Sequence, residues 1–301
     1  MFDIIIVGGG PAGLTAAVYA RRAGKSVLVI EKETFGGQIT FSPKVENIPG
    51  FESISGSGFA EKLTEQAMAQ GAELECCEVL RIEDGNPKRV VTDDGVYEGK
   101  AVIIATGARH RLLGILNEEQ YIGDGISFCA VCDGAFYKEK TVVVVGGGNS
   151  ALQEALLLSE LARKVYVLQN LEDFTGEKAL SKQLQEKENV ELHFETVVDS
   201  IIEDGGFAGV RIRRTGGGPI EDIRADGMFV AIGLVPQNEP FSNVLPLNTY
   251  GYASMDEGCK GEKQGIFAAG DCRSKKIRQV TTAVADGAVA ALAACDYVDN
   301  L

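Results

Sequence analysis

The 301-residue chain has no tryptophan, four methionines and only two histidines, His110 and His193, neither of them at ligand spacing from another donor. It is also short of positive charge. Lys and Arg number 29 against 43 Asp and Glu, a formal net charge of −14 at pH 7. A surface so acidic repels phosphate backbones and anionic lipids, which argues against nucleic acid and membrane partners and suits plain solubility. No apolar run approaches the ~20 residues of a membrane helix. The chain enters Ile4-Ile5-Ile6-Val7 almost at once, with no basic stretch or cleavage site before it, so the expected address is cytoplasmic. Seven cysteines are too few and too scattered for a secreted disulfide scaffold.

What the chain has in excess is glycine, 37 residues, against about 7% in an average protein. Many mark the ends of short Val- and Ile-rich runs: Phe2–Val7, Val27–Ile30, Ala101–Ala105, Thr141–Val145, Lys164–Leu168, Met228–Ile232 and Gly265–Ala269. Continuous apolar runs of this length predict parallel strands buried on both faces. Helical patterns fall between them at Pro11–Arg22, Phe59–Gln70, Ser150–Ala162 and Val280–Ala294. Strands alternating with helices predict a doubly wound α/β architecture. The segment Gly205–Asp222 reads as a hairpin or surface excursion.

The strand–glycine–helix unit occurs twice. In the first copy Gly8 permits the tight turn, Gly10 lets backbone approach a pyrophosphate, and Gly13 allows close helix–strand packing; Pro11 and Ala12 open the helix. The second strand of this unit ends in Glu31, an acid placed to accept from both hydroxyls of a ribose. In the second copy Gly146 and Gly148 precede Asn149, Ser150 and Ala151, the alanine being an accepted replacement for the third glycine. Its following strand ends in Gln169-Asn170, which is neither the acid of an NAD site nor the arginines of an NADP site. The duplication implies two Rossmann-like nucleotide-binding domains, the second inserted in the first. The expected boundaries are 1–112 with 245–301 for one domain and 113–244 for the other, with crossings near Arg111–Asp124 and Pro236–Leu247.

Phe128-Cys129-Ala130-Val131-Cys132-Asp133-Gly134 carries the chemistry. Two cysteines at this spacing can close a small disulfide ring, and in a reducing compartment such a pair is catalytic or metal-binding. A zinc site needs a second pair. Cys76 and Cys77 are adjacent and Cys259 and Cys272 isolated, so no metal is expected. Asp133 is a candidate proton donor to a departing thiolate; a helix cap or turn residue is the alternative. Cys76, Cys77, Cys259 and Cys295 read as small packing groups, and Cys272 is given no role.

Taken together, these residues resemble the low-molecular-weight bacterial thioredoxin reductases over nearly the whole chain. The supporting segments are Gly8–Gly13, Glu31, Gly36-Gly37-Gln38, Val45–Gly50, Ala105-Thr106-Gly107, Cys129–Gly134, Phe267–Asp271 and Arg278-Gln279-Val280. The resemblance implies an FAD domain built from both ends of the chain and an inserted pyridine-nucleotide-type domain bearing the cysteines. It implies that Gly270 and Asp271 hold the ribityl–pyrophosphate region, and that Gln38, Asn47, Arg278 and Gln279 line the isoalloxazine and its tail. It further implies that Cys132 faces the flavin, that Cys129 attacks a thioredoxin-like protein disulfide, that Asp133 is the acid/base, and that the protein is a homodimer.

One departure from the family pattern bears on the electron donor. Members that use NADPH carry His-Arg-Arg-x-x-x-Arg after the second strand of the inserted domain. The matching positions here are Gln169-Asn170-Leu171 and Thr175, with Glu172 and Asp173 adding negative charge. Each charge-assisted phosphate contact removed costs about 1.5–3 kcal/mol, which disfavours NADPH. Two donors remain: NADH, with Gln169 or Asn170 near its ribose hydroxyls, or an external carrier such as reduced ferredoxin feeding a flavin whose nicotinamide site is vestigial. A dithiol oxidase on the same scaffold shares every motif.

Overall fold

The computed structural model describes residues 1–42 and 44–301. The chain opens with β1 (Phe2–Val7), α1 (Pro11–Arg22) and β2 (Val27–Glu31). Ile4, Ile5, Ile6 and Val7 are all buried, as a β-branched run covered on both faces requires. Pro11 sits at the first turn of α1, where its missing N–H costs nothing. Then come α2 (Gly56–Ala69), β3 (Glu73–Cys76), β4 (Val79–Glu83), β5 (Lys88–Thr92) and β6 (Val96–Ile104). The outward crossing runs as β7 (Ala108–His110).

The inserted unit contains β8 (Ile126–Ser127), α3 (Ala130–Asp133), β9 (Thr141–Val145), α4 (Asn149–Leu161), β10 (Lys164–Leu168) and α5 (Lys178–Gln185). It continues with β11 (Val190–His193), β12 (Thr196–Glu203), β13 (Phe207–Arg214), β14 (Glu221–Arg224) and β15 (Gly227–Val230). The return crossing, β16 (Leu234–Pro236), pairs with β7. β17 (Ile266–Ala268) and the long α6 (Val280–Asp299) complete the first unit.

In the first unit the sheet order is β3-β2-β1-β6-β5-β4, with β17 added along the C-terminal half of β6. The β1, β2, β3, β6 and β17 pairings are parallel and the β4–β5–β6 ribbon is antiparallel. α1 and α6 cover one face. They approach so closely that a Cβ on Gly287 would lie 2.1 Å from the Ala12 carbonyl oxygen. In the second unit a parallel sheet β11-β10-β9-β15-β8 stands beside an antiparallel sheet β12-β13-β14. The segment read as a hairpin or excursion forms much of β13 and β14. The hairpin reading holds, since β13 pairs antiparallel with β14, and its Val210 and Ile212 are buried in that unit's core.

The compact units divide near 109/110 and 234/235, and the short stretch ending at Asn47 clusters with the second unit. Residues 235–244, set in the inserted domain by the sequence reading, cluster with the first unit. Phe241 and Val244 bury there with Ile82, Val90 and Ile266.

Candidate active site

The first glycine loop is closed on every side but one. A Cβ on Gly13 would meet the Gly8 carbonyl oxygen at 1.9 Å, and one on Gly8 the Ala105 carbonyl oxygen at 2.4 Å. Gly10, the N-cap of α1, is different: the nearest atom to its Cβ position is 4.0 Å away. The loop therefore packs tightly behind and stays open in front, beside the free N–H groups that begin α1. Glu31, at the end of β2, accepts the Gly9 N–H at 2.7 Å and the Glu33 N–H at 3.0 Å. Both bonds fix its carboxylate at the loop's rim. Gly36 and Gly37 lie alongside, the Gly36 N–H donating to the Gly9 carbonyl at 2.8 Å, and Gln38 is exposed.

After β6, Ala105-Thr106-Gly107 passes next to the same loop, with the Ala105 N–H on the Val7 carbonyl at 2.7 Å. Asn238, a residue the sequence did not single out, holds this corner. It is fully buried, accepts from the Thr106 hydroxyl at 3.1 Å, and donates to the carbonyls of Gly251 at 3.0 Å and Cys272 at 2.8 Å. The asparagine lies two residues after Pro236 at the crossing, a context that carries no motif.

Gly270 and Asp271 follow β17. Gly270 adopts φ +80°, and its N–H donates to Asp286 at 3.0 Å. Burial pushes the Asp271 carboxyl up, against the opposing charge of Lys275. Its Oδ1 is buried without a hydrogen bond among the described residues, the Lys275 ammonium standing 3.4 Å away. A buried carboxylate oxygen met only by a cation at that distance keeps room for a ligand hydroxyl. Arg278 lies over the Tyr252 ring at 4.2 Å and donates to the Asp271 carbonyl at 3.3 Å. Gln279 caps α6 through a reciprocal pair with Thr282, and Val280 begins that helix. Asn47, grouped with these residues by the sequence reading, clusters with the second unit.

In the second unit Cys129 and Cys132 form a disulfide, their Cα atoms 5.3 Å apart. Cys129 precedes α3, and its Sγ accepts the Cys132 N–H at 3.2 Å. Asp133 ends α3. The Ser127 hydroxyl bridges the motif, donating to Asp133 Oδ2 at 2.6 Å and accepting the Cys129 N–H at 3.1 Å. Burial raises the Asp133 carboxyl, partly offset by that serine bond. His110 stacks on Phe128 with ring centroids 4.5 Å apart, and burial lowers it to about 4, so it is neutral at pH 7. Cys259 and Cys272 are buried and pushed up to about 11, which makes them inert thiols.

The second glycine loop repeats the first, with Ala151 for the third glycine and Gln169 for Glu31. Gly146 takes φ +137°, and Gly148 caps α4. At the position matching Glu31, the buried Gln169 lays its amide against Gly147, where a Cβ would meet Nε2 at 2.2 Å. That amide donates to the Asp173 carbonyl at 3.0 Å and accepts the Asn170 N–H at 3.0 Å. Asn149 pairs with Glu177 through both side-chain ends. Ser150, next along α4, is exposed.

Residues 2–287 match the family described as pyridine nucleotide-disulphide oxidoreductase. The chain belongs to this family. It is 40% identical to a thioredoxin reductase of Bacillus subtilis, over all of this chain and 96% of that protein. It is 41% identical to a Clostridium pasteurianum protein described as a 34.2 kDa protein in the rubredoxin operon, over 98% of this chain and 97% of that one. The solved thioredoxin reductase of Streptococcus pyogenes superposes with a TM-score of 0.94 at 38% identity, covering 100% and 99% of the two chains. The chain is accordingly an FAD-dependent disulfide oxidoreductase of thioredoxin reductase type with two Rossmann-like domains. Its first unit fits FAD on its own terms: an open-fronted glycine loop, a fixed acid at Glu31 and an unmet carboxylate oxygen at Asp271.

Proposed function

We propose that the protein reduces a thioredoxin-like protein disulfide with two electrons taken from NADH. The reading is supported chiefly by the Cys129–Cys132 disulfide with the raised carboxyl of Asp133 tied to it through Ser127. Gly8, Gly10, Pro11, Ala12 and Gly13 hold the FAD pyrophosphate, and Glu31 its ribose. Ala105, Thr106, Gly107, Gly270 and Asp271 hold the ribityl side, while Gly37, Gln38, Asn47, Arg278, Gln279 and Val280 border the ring. Bound FAD supplies the two-electron reduction that opens the disulfide.

The chain's own residues do the rest. Cys129 is the nucleophile on the substrate, and Cys132 is the resolving thiol. The Cys132 N–H, 3.2 Å from Cys129 Sγ, favours its thiolate form. Attack on the substrate disulfide gives a mixed disulfide, Asp133 protonates the departing sulfur, and Cys132 then displaces the second substrate sulfur. The enzyme works as a cytoplasmic homodimer.

For the donor, Gly146, Gly148, Asn149 and Ser150 take the NADH pyrophosphate, and Gln169, the only polar group at the Glu31-equivalent position, meets the ribose. A carrier-fed flavin, with ferredoxin or a similar iron–sulfur protein as donor, is the second reading. Two observations favour it: the amide of Gln169 is already engaged by Asp173 and Asn170, and one close relative is described by its rubredoxin operon. Anaerobic stopped-flow mixing of the yellow protein with NADH, NADPH or reduced ferredoxin separates the donors. Rapid bleaching by NADH is expected; bleaching by NADPH at micromolar levels would refute the charge argument at Gln169–Thr175. Oxygen uptake with a dithiol and no nicotinamide would instead identify a dithiol oxidase.

A further inference from the structure

Glu154 has no part in that scheme, yet it is set among apolar side chains of α4. It falls one helical turn after Ala151 and one before Leu158, both fully buried. The C-terminal end of α3 packs on the same stretch of α4: a Cβ on Gly134 would touch Leu161 at 3.3 Å and Leu158 at 3.5 Å. Asp133 is the residue before Gly134, and its charge acts on Glu154. Each of the two carboxyl groups has one buried oxygen without a hydrogen bond among the described residues, Oδ1 of Asp133 and Oε2 of Glu154. The two oxygens do not bond each other in this structure, so the pair is coupled through charge, and of two carboxyls in a shared apolar setting one is held protonated.

We propose that Glu154 is the proton reservoir of disulfide exchange, acting through Asp133 as a positioning residue. The inference rests on the reading of Asp133 as the acid. As Cys129 Sγ bonds to one substrate sulfur, the substrate S–S bond breaks and its electron pair leaves on the other sulfur. That sulfur takes a proton from Asp133; a side-chain rotation or one bridging water then hands Asp133 the proton of Glu154, and Glu154 regains one from solvent. Burial first, and then the charge of Asp133, push Glu154 up to about 8. The pair thus still holds a proton at neutral pH. The other titrating neighbour is Tyr137, on the turn after α3, which burial and Asp133 push up to about 12 and which stays neutral throughout.

The test is the pH dependence of single-turnover oxidation of the dithionite-reduced holoenzyme by two probes. Bis(2-hydroxyethyl) disulfide releases an alkyl thiolate that needs a proton; 5,5′-dithiobis(2-nitrobenzoate) releases an aromatic thiolate that does not. In the wild type the alkyl rate should hold through neutral pH and fall above about 8. Glu154→Gln should move that fall at least about one unit lower, a roughly threefold or greater loss at about pH 7.5 that approaches roughly tenfold near pH 9, with the aromatic probe unaffected. Glu154→Asp should restore part of the limb and guards against a glutamine variant that folds poorly. Superimposable alkyl profiles for wild type and Glu154→Gln, or equal losses with both probes, would overturn the proposal. Asp133→Asn separates the two levels. If it shifts the alkyl profile while Glu154→Gln does not, only the reservoir falls; if Asp133→Asn is silent, the acid assignment falls and takes the reservoir with it.

Discussion

Substitution of Asp271 by asparagine should have opposite effects on the apoprotein and the holoprotein. Without ligand, the carboxylate is a liability: it is raised by burial, and among the described residues its Oδ1 makes no hydrogen bond, only an ion pair with Lys275 at 3.4 Å. An unsatisfied buried charged group costs about 1–3 kcal/mol or more. With its side chain one-third exposed (33%) and a cation near, the lower end, about 1 kcal/mol, applies. Lys275 keeps its second partner, Asp286, at 3.2 Å. Apo Asp271→Asn should therefore be as stable as wild type or up to about 1 kcal/mol more stable. The gain should appear only above the ordinary aspartate range. A carboxyl raised in the folded state is penalised as pH climbs from its unfolded value through its folded one, and carries no penalty below both. With FAD bound the sign reverses, because a charge-assisted bond to a ribityl hydroxyl becomes a neutral one. A loss of about 1.5 kcal/mol corresponds to roughly tenfold weaker binding. Flavin-fluorescence titration of the apoprotein and thermal melts with and without FAD measure both halves. Unchanged FAD affinity together with a destabilised apoprotein would refute the assignment of Asp271 as a ligand contact.

Serine at Cys129 or Cys132 should lower disulfide turnover by several orders of magnitude while leaving flavin content intact, since both residues lie outside the unit that carries the first glycine loop. Gly13→Ala forces a methyl to within 1.9 Å of the Gly8 carbonyl oxygen; overpacking of about 1–3 kcal/mol and loss of bound flavin, read as visible absorbance per protein, are expected. Asp3, lowered to about 2 against its own burial by Lys100 and Ser26, stabilises the fold above its unfolded value and loses that contribution as pH falls toward 2. Asp3→Asn should cost about 1–3 kcal/mol at pH 7, with the gap to wild type in chemical denaturation closing on acidification. Gly147→Ala, whose methyl displaces the Gln169 amide from 2.2 Å, should raise the KM for NADH about three- to tenfold; turnover unaffected by it would favour the protein-carrier donor.

The strands were the most legible elements. Phe2–Val7, Thr141–Val145 and Lys164–Leu168 are read correctly to the residue, because buried parallel strands need unbroken apolar runs. Helix ends were less certain: α6 continues to Asp299, five residues past the expected Ala294, since its alanine-rich face stays apolar after the clear periodicity fades. Of the antiparallel ribbon only the Ala101-Val102-Ile103-Ile104 end of β6 was read; β4, β5 and residues 96–100 went unread, where Lys88, Arg89, Glu98 and Lys100 interrupt the apolar residues. In the site, glycines and cysteines announce themselves because few other residues can do their work. Asn238 and Glu154 do not. A buried asparagine or glutamate looks like any surface polar residue until the fold shows what surrounds it.

The two glycine loops make the strongest case for reading chemistry from a single position. Their backbones are alike: a positive-φ glycine after the strand, Gly8 or Gly146, and an extended glycine cap, Gly10 or Gly148, before the helix. The carboxylate of Glu31 accepts the loop's own Gly9 N–H through one oxygen and the Glu33 N–H through the other, each retaining lone pairs for a ribose diol. Gln169 has one acceptor oxygen, already bonded to the Asn170 N–H, and a donor amide turned to the Asp173 carbonyl. A diol facing Gln169 finds a single partly used acceptor and no charge, so the second loop must hold any nucleotide more weakly than the first. That asymmetry suits a cofactor kept by one unit and a donor that visits the other and leaves.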